Sequence, residues 1–224
     1  DQPREASRLF SKALRLVIFI TVPAMAGLMA LDMEIIRFLF GHGRFDGLSV
    51  TATADCLFVM AAGLWAFTGT RIFVTLHYAF SSIRTPFLTG CLSIGLNVAA
   101  GLILVGPYGL KGLLLGVGLS SGVGFTLLFF RPPKGVVISM GEIFVCACRS
   151  IFLSGIMLLC VEMAAPGIDP DPSSKLIQGA VLLALILLGA AIYLAGCLFF
   201  RSPELMILIR SIRSKGSKTG ESPS

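Results

Sequence analysis

The sequence predicts an all-α fold, a polytopic membrane helix bundle with about six transmembrane helices. Three observations carry this prediction. The chain is 55% hydrophobic and only 13% charged over 224 residues, with a mean hydropathy of +0.90, far more apolar than an ordinary soluble domain. Its apolar residues collect into uncharged runs approaching the roughly 20 residues a helix needs to cross a hydrocarbon core about 30 Å thick. Its lysines and arginines cluster in alternate connections between those runs, the pattern that orients membrane helices.

The first run, Leu16–Leu31, follows "DQPREASRLFSKALR". That lead-in is polar and amphipathic, with no small-residue cleavage site after it, so it does not read as a signal peptide. There is no initiator Met, and the chain reads as a piece of a longer protein. Pro23 in this run, like the glycines of the third and fourth, is tolerable where neighbouring helices pack closely. The second run is Cys56–Thr70. The third and fourth, Thr85–Leu110 and Gly112–Phe130, are divided by Lys111 alone. Between them "VGPYGLKG" (Val105–Gly112) supplies turn chemistry, and a short hairpin is predicted. Ile143–Val161 is interrupted only by Arg149, and Leu176–Phe200 is the last run. The first four helices are expected near 14–32, 52–74, 85–106 and 111–131.

With the N-terminal segment inside, 14 of the 18 basic residues fall on or near the cytoplasmic side, leaving Arg37, Arg44, Lys111 and Lys175 outside. The last external connection, "PGIDPDPSS" (Pro166–Ser174), has two aspartates and no base. Both ends of the chain are therefore predicted to be cytoplasmic. The net charge of +6 reads as a topology signal that also favours anionic lipid head groups. No nucleic-acid partner is expected, because no basic-aromatic surface pattern accompanies the charge. The stretch 201–224 reads as a disordered cytoplasmic tail.

Catalytic chemistry is not legible. His42 and His77 fall in predicted loops on opposite sides of the membrane. Asp55 and Glu162 lie near external ends of spans and read as water-facing end residues rather than proton relays. Six cysteines lie within or at the ends of apolar runs and read as small hydrophobes; the Cys146-x-Cys148 pair lacks the second ligand pair of a structural metal site. No phosphate loop, nucleophile elbow or His-rich motif is present. An enzyme, a cofactor and a metal are accordingly not expected.

Three stretches, in order, resemble the MurJ/MviN lipid II flippase family. They are "LFGHGRFDGLSVTATADCL" (Leu39–Leu57), "RIFVTLHYAFSSIRTP" (Arg71–Pro86) and "LNVAAGLILVGPYGLKGLLLGVGLS" (Leu96–Ser120). In the second, Tyr78, Ala79, Arg84, Thr85 and Pro86 match the family's pattern, whereas Ser82 and Ile83 replace its usual Asp-Thr and His77 its usual Phe. The likeness runs over about residues 8–200. It implies a member of the multidrug/oligosaccharidyl-lipid/polysaccharide exporter superfamily, with fourteen helices of which this chain holds the ninth to the fourteenth. Residues 1–135 would then be the four-helix part of the C-terminal lobe and 136–200 the last helix pair, the N-terminal lobe being absent from the chain.

The function so implied is movement of a polyprenyl-diphosphate-linked peptidoglycan precursor from the inner to the outer leaflet of the bacterial cytoplasmic membrane. Its partners would be that precursor and membrane lipids. The family's diphosphate-binding arginines belong mainly to the lobe not present, and its last two helices contribute an apolar groove suited to a polyprenyl tail. Arg71, Arg84 and Arg149 are the candidates for the substrate mouth. In the simpler reading of the second stretch, Arg84 anchors the interface, Thr85 caps the next helix and Pro86 opens it. Asn97 matches a cation ligand of some members, but Gly101 and Val117 lack the carboxylate and hydroxyl that accompany it, so the set is incomplete. A related exporter of another polyprenyl-linked sugar or drug, and a non-transport membrane scaffold, are the alternative readings.

Overall fold

A computed structural model describes residues 2–41, 47–133, 140–164, 175–200 and Glu204, with side chains from Ser7 onward. The expectations for His42, Arg44, the 166–174 connection and residues 205–224 lie outside the described residues. Among the described residues the helices follow in the order α1 (Gln2–Ala30), α2 (Asp32–Phe40), α3 (Gly47–Ala79), α4 (Arg84–Tyr108), α5 (Leu110–Phe130), α6 (Met140–Ala164) and α7 (Lys175–Phe199). All except α2 contain a stretch long and apolar enough to cross a membrane. The chain is thus an all-helical, multi-pass membrane bundle.

Several local expectations are corrected. Residues 32–40 form a helix where a connection was expected. Asp32 and Glu34 occupy its first turn and Arg37 its last, each favourable to the helix dipole, and Ile36 packs against Val50 and Ala54 of α3. With nine residues it cannot cross a bilayer. The α4–α5 hairpin is tighter than expected: α4 continues through Pro107 to Tyr108, and Gly109 alone breaks the path, at φ +56°. Only glycine takes that left-handed conformation without strain. Thr85 is not a cap, since α4 begins at Arg84 and its flanking residue Ile83 makes no side-chain cap. Thr85 already has helical backbone, whereas a cap residue does not. Pro86 does fall in the first turn, where its missing N–H forfeits no intrahelical bond.

His77 is likewise not in a loop. It is fully buried in the last turn of α3, with Nδ1 2.8 Å from Phe73 O and Nε2 3.0 Å from Arg131 O at the end of α5. Both neighbours accept, so each bond requires an N–H on the ring nitrogen facing it. After α3 the chain turns through Ser81 (φ 54°), and Ser82 N–H donates to His77 O at 2.8 Å.

Helix α1 is central, packing on both α3 and α6. One core, Phe10, Leu14, Phe73, Leu76, Leu128 and Ile143, joins α1, α3, α5 and α6. A second joins α1 to α6 and α7 through Phe19, Ala26, Leu153, Met157, Val161 and Leu185. Helix α4 is held chiefly by α5. A Cβ on Gly116 would lie 3.0 Å from Gly101 N, so the two backbones meet through small residues, a usual device of membrane helices. The rest of α4, including Ile94, Val98, Leu102 and Ile103, is exposed and apolar enough for lipid.

Candidate functional site

Glu204, just beyond α7, is the most deeply buried acid described, at 1% exposure. Burying a carboxylate is unfavourable unless cations and hydrogen bonds compensate it. Two arginines from different helices do so. Arg15 of α1 donates from Nε at 3.0 Å and Nη2 at 2.5 Å to Oε1, while Arg149 of α6 pairs with Oε2. Burial opposes ionisation of Glu204, but the hydrogen bond from Arg15 and the charges of Arg149 and Arg15 hold its carboxyl below the usual range. Arg15 has a second acid as well, Glu142 of α6, with Nη1 2.5 Å from Oε2 and the glutamate largely exposed.

One helical turn beyond Arg15, Phe19 begins an apolar groove of about 460 Å³ bounded by α1, α6 and α7. Pro23, Gly27, Met157, Val161, Gly189 and Tyr193 are among its walls. Tyr193 ties the three helices together at the end next to the arginines. Its hydroxyl donates to Phe19 O at 2.9 Å and lies 3.5 Å from Ser150 Oγ, and Ser150 directly follows Arg149. The arrangement therefore places two guanidinium groups, bridged by the internal carboxylate of Glu204 and balanced in charge by it together with Glu142, beside one end of an apolar groove. A further apolar cavity, of about 610 Å³, lies between α1, α3, α5 and α6 around Leu14, Ile18, Trp65, Phe125 and Phe144.

The sequence candidates separate. Arg71 is exposed on α3, its guanidinium 4.6 Å from the centre of the Phe67 ring. Arg84 is exposed at the start of α4. Arg149 is mostly buried and engaged by Glu204. Among the described residues no hydrogen bond or ion pair joins these three. Asn97 is half-buried on α4, its carbonyl near Gly116 of α5, and no cluster of three or more His, Cys, Asp or Glu occurs among the described residues. Asp55 pairs with Lys111, both half-exposed, and Glu162 is exposed. None of the six cysteines, all among the described residues, is in a disulfide, and Cys146 and Cys197 are buried.

Arg15, Glu204 and Tyr193 were missed by sequence reasoning. A signal existed for Glu204, because Arg149, inside an apolar run, needs an anionic partner, and Glu204 is the first acid after the last run.

The family profile described as "Lipid II flippase MurJ" matches residues 1–168. A probable lipid II flippase MurJ of Thermotoga maritima is 33% identical over 114 residues, 51% of this chain and 24% of that protein. Another from Rickettsia prowazekii is 23% identical over 206 residues, 91% of this chain and 40% of the relative. The chain thus spans well under half the length of these relatives. A solved structure, "Lipid II flippase MurJ, inward closed conformation", superposes with a TM-score of 0.68 at 24% identity, covering 88% of this chain and 39% of that one, a likeness of fold. With the profile matched over 168 of 224 residues, the chain belongs to the lipid II flippase MurJ family.

Proposed function

We propose that this chain is the C-terminal portion of a lipid II flippase, carrying the polyprenyl-diphosphate-linked peptidoglycan precursor from the inner to the outer leaflet of the bacterial cytoplasmic membrane. The observation that carries this reading beyond family membership is the apolar groove between α1, α6 and α7. An isoprenoid tail requires only an uncharged channel open to lipid, whereas a diphosphate requires cations and hydrogen-bond donors in a wet cavity. The groove meets the first requirement. The opposite lobe of a longer protein meets the second, with α1 to α5 as the facing wall, α6 and α7 as the closing pair, and both ends of this chain cytoplasmic. Arg71 and Arg84, exposed at neighbouring ends of α3 and α4, line the cytoplasmic mouth and attract the head group as the lobes rock. Asn97 lacks companion ligands and takes no cation role in this reading.

The experiment is complementation in cells depleted of their own lipid II flippase, with surface-accessible lipid II as the readout and membrane abundance confirmed. The chain alone inserts and restores nothing; with an eight-helix N-terminal partner it restores export. Ala190→Trp, at a groove-lining position, removes most of that restored export. Robust rescue by the chain alone, or full export with the groove filled, refutes the reading.

A further inference from the structure

Glu204 and its arginines have features of a displaceable lock. The carboxylate lies beyond the span that ends at Phe199, five residues along the chain, so on release it can regain water without crossing lipid. Arg15 would not be stranded by that release, because Glu142, exposed and already 2.5 Å away, remains its partner. Arg149 has no other ion-pair partner among the described residues. Losing Glu204 would leave a guanidinium without an anion beside the groove, at the point where Ser150 and Tyr193 close it. One turn before Arg15, the buried Ser11 hydroxyl has no hydrogen-bond partner among the described residues, a further donor on the same helix face. Arginine's planar fork engages a phosphate as readily as a carboxylate.

We propose that Arg149, with Arg15, forms a binding site for the phosphate group of a polyprenyl phosphate whose tail lies in the α1–α6–α7 groove, and that Glu204 is its resident, displaceable occupant. This assignment rests on the groove being a tail site. A phosphate brings its own negative charge, so the exchange keeps the buried arginines neutralised, while the freed carboxylate is solvated. Glu204 then sets an affinity threshold: only an anion held additionally by a tail in the groove displaces it.

The test measures binding of undecaprenyl phosphate, undecaprenol and inorganic phosphate to the whole chain in detergent, by native mass spectrometry. Glu204→Gln, which removes the competing charge, is expected to tighten undecaprenyl phosphate by about tenfold or more, the size of a charge-assisted hydrogen bond. Undecaprenol should be unaffected, and Glu204→Gln/Arg149→Gln should lose the gain. Glu204→Asp, whose shorter side chain cannot span both arginines, should show a smaller gain and decides the matter if the Gln variant does not fold. Unchanged or weakened undecaprenyl phosphate binding in the folded variant overturns the proposal and returns Glu204 to a purely structural tie. A gain as large for inorganic phosphate overturns the lipid assignment. If wild type and every variant bind neither lipid, the groove reading itself fails and the proposal with it; equal binding of both lipids by every variant spares the groove and sinks only the lock.

Discussion

The bundle carries ionic contacts at both of its ends, and they differ chiefly in access to water. At one end Lys111 of α5 meets Asp55 of α3 with both side chains 45% exposed. At the other, Arg15 and Arg149 converge on Glu204 with side-chain exposures of 13%, 17% and 1%. Exposed charges are well solvated when apart, so pairing them gains little. Buried charges lose hydration on folding, and removing one member strands the others. The first pair lies at an exposed end of α3 and α5, which pack on each other along their length, whereas the second ties Glu204 to α1 and α6, which already pack through apolar residues. The same chemistry is therefore peripheral in one place and positional in the other.

The largest effect expected from this contrast is at Glu204. Glu204→Ala leaves Arg15 sharing only Glu142 and Arg149 without an acid, and should destabilise the chain by about 3–5 kcal/mol, measured by thermal unfolding in detergent. Faster alkylation of the buried Cys146 and Cys197, with no change at exposed Cys91, would localise the loss. An effect within about 1 kcal/mol, the range of an exposed pair, would erase the distinction between the two ends.

An intermediate effect is expected with pH. The carboxyl of Glu204 is held below its ordinary value of 4.5. Its contribution is complete above that value and is lost as pH falls through the lowered folded value. The gap in Tm between wild type and Glu204→Gln should therefore be constant from neutral pH down to about 4.5 and then shrink. Subtracting the two curves removes acids common to both, and a gap that grows on acidification would contradict the arrangement.

The smallest effect belongs to the exposed end. Asp55→Ala should change stability by about 0–1 kcal/mol and become undetectable in high salt. A loss comparable with that of Glu204→Ala would mean that the Lys111–Asp55 pair is shielded from water in the assembled membrane protein.

Much of the candidate site was half-visible in the chain. Arg149 stood out because it interrupts an apolar run, and the groove was implied by a family resemblance that the profile match upholds. Its partner was not visible. Glu204 sat in the stretch 201–224 read as a disordered tail, and nothing local distinguishes a glutamate that will be buried from one that will be solvated. His77 misled for the related reason that a polar residue near the end of an apolar run resembles a loop residue until the carbonyl of Arg131, 54 positions away, is seen to receive it.

What the sequence determined by itself was the number and approximate placement of the spanning helices, the hairpin at Gly109 and the family. In lipid each helix satisfies its own backbone hydrogen bonds, so local composition and turn chemistry are enough to locate it. Only the tertiary structure decided which polar groups meet: Arg15 with Glu204 across 189 positions, Tyr193 with Phe19 across 174, and the folding of α2 against α3. Those pairings depend on which helix ends lie side by side. Helix packing sets that relation, and it leaves no periodic trace in the chain.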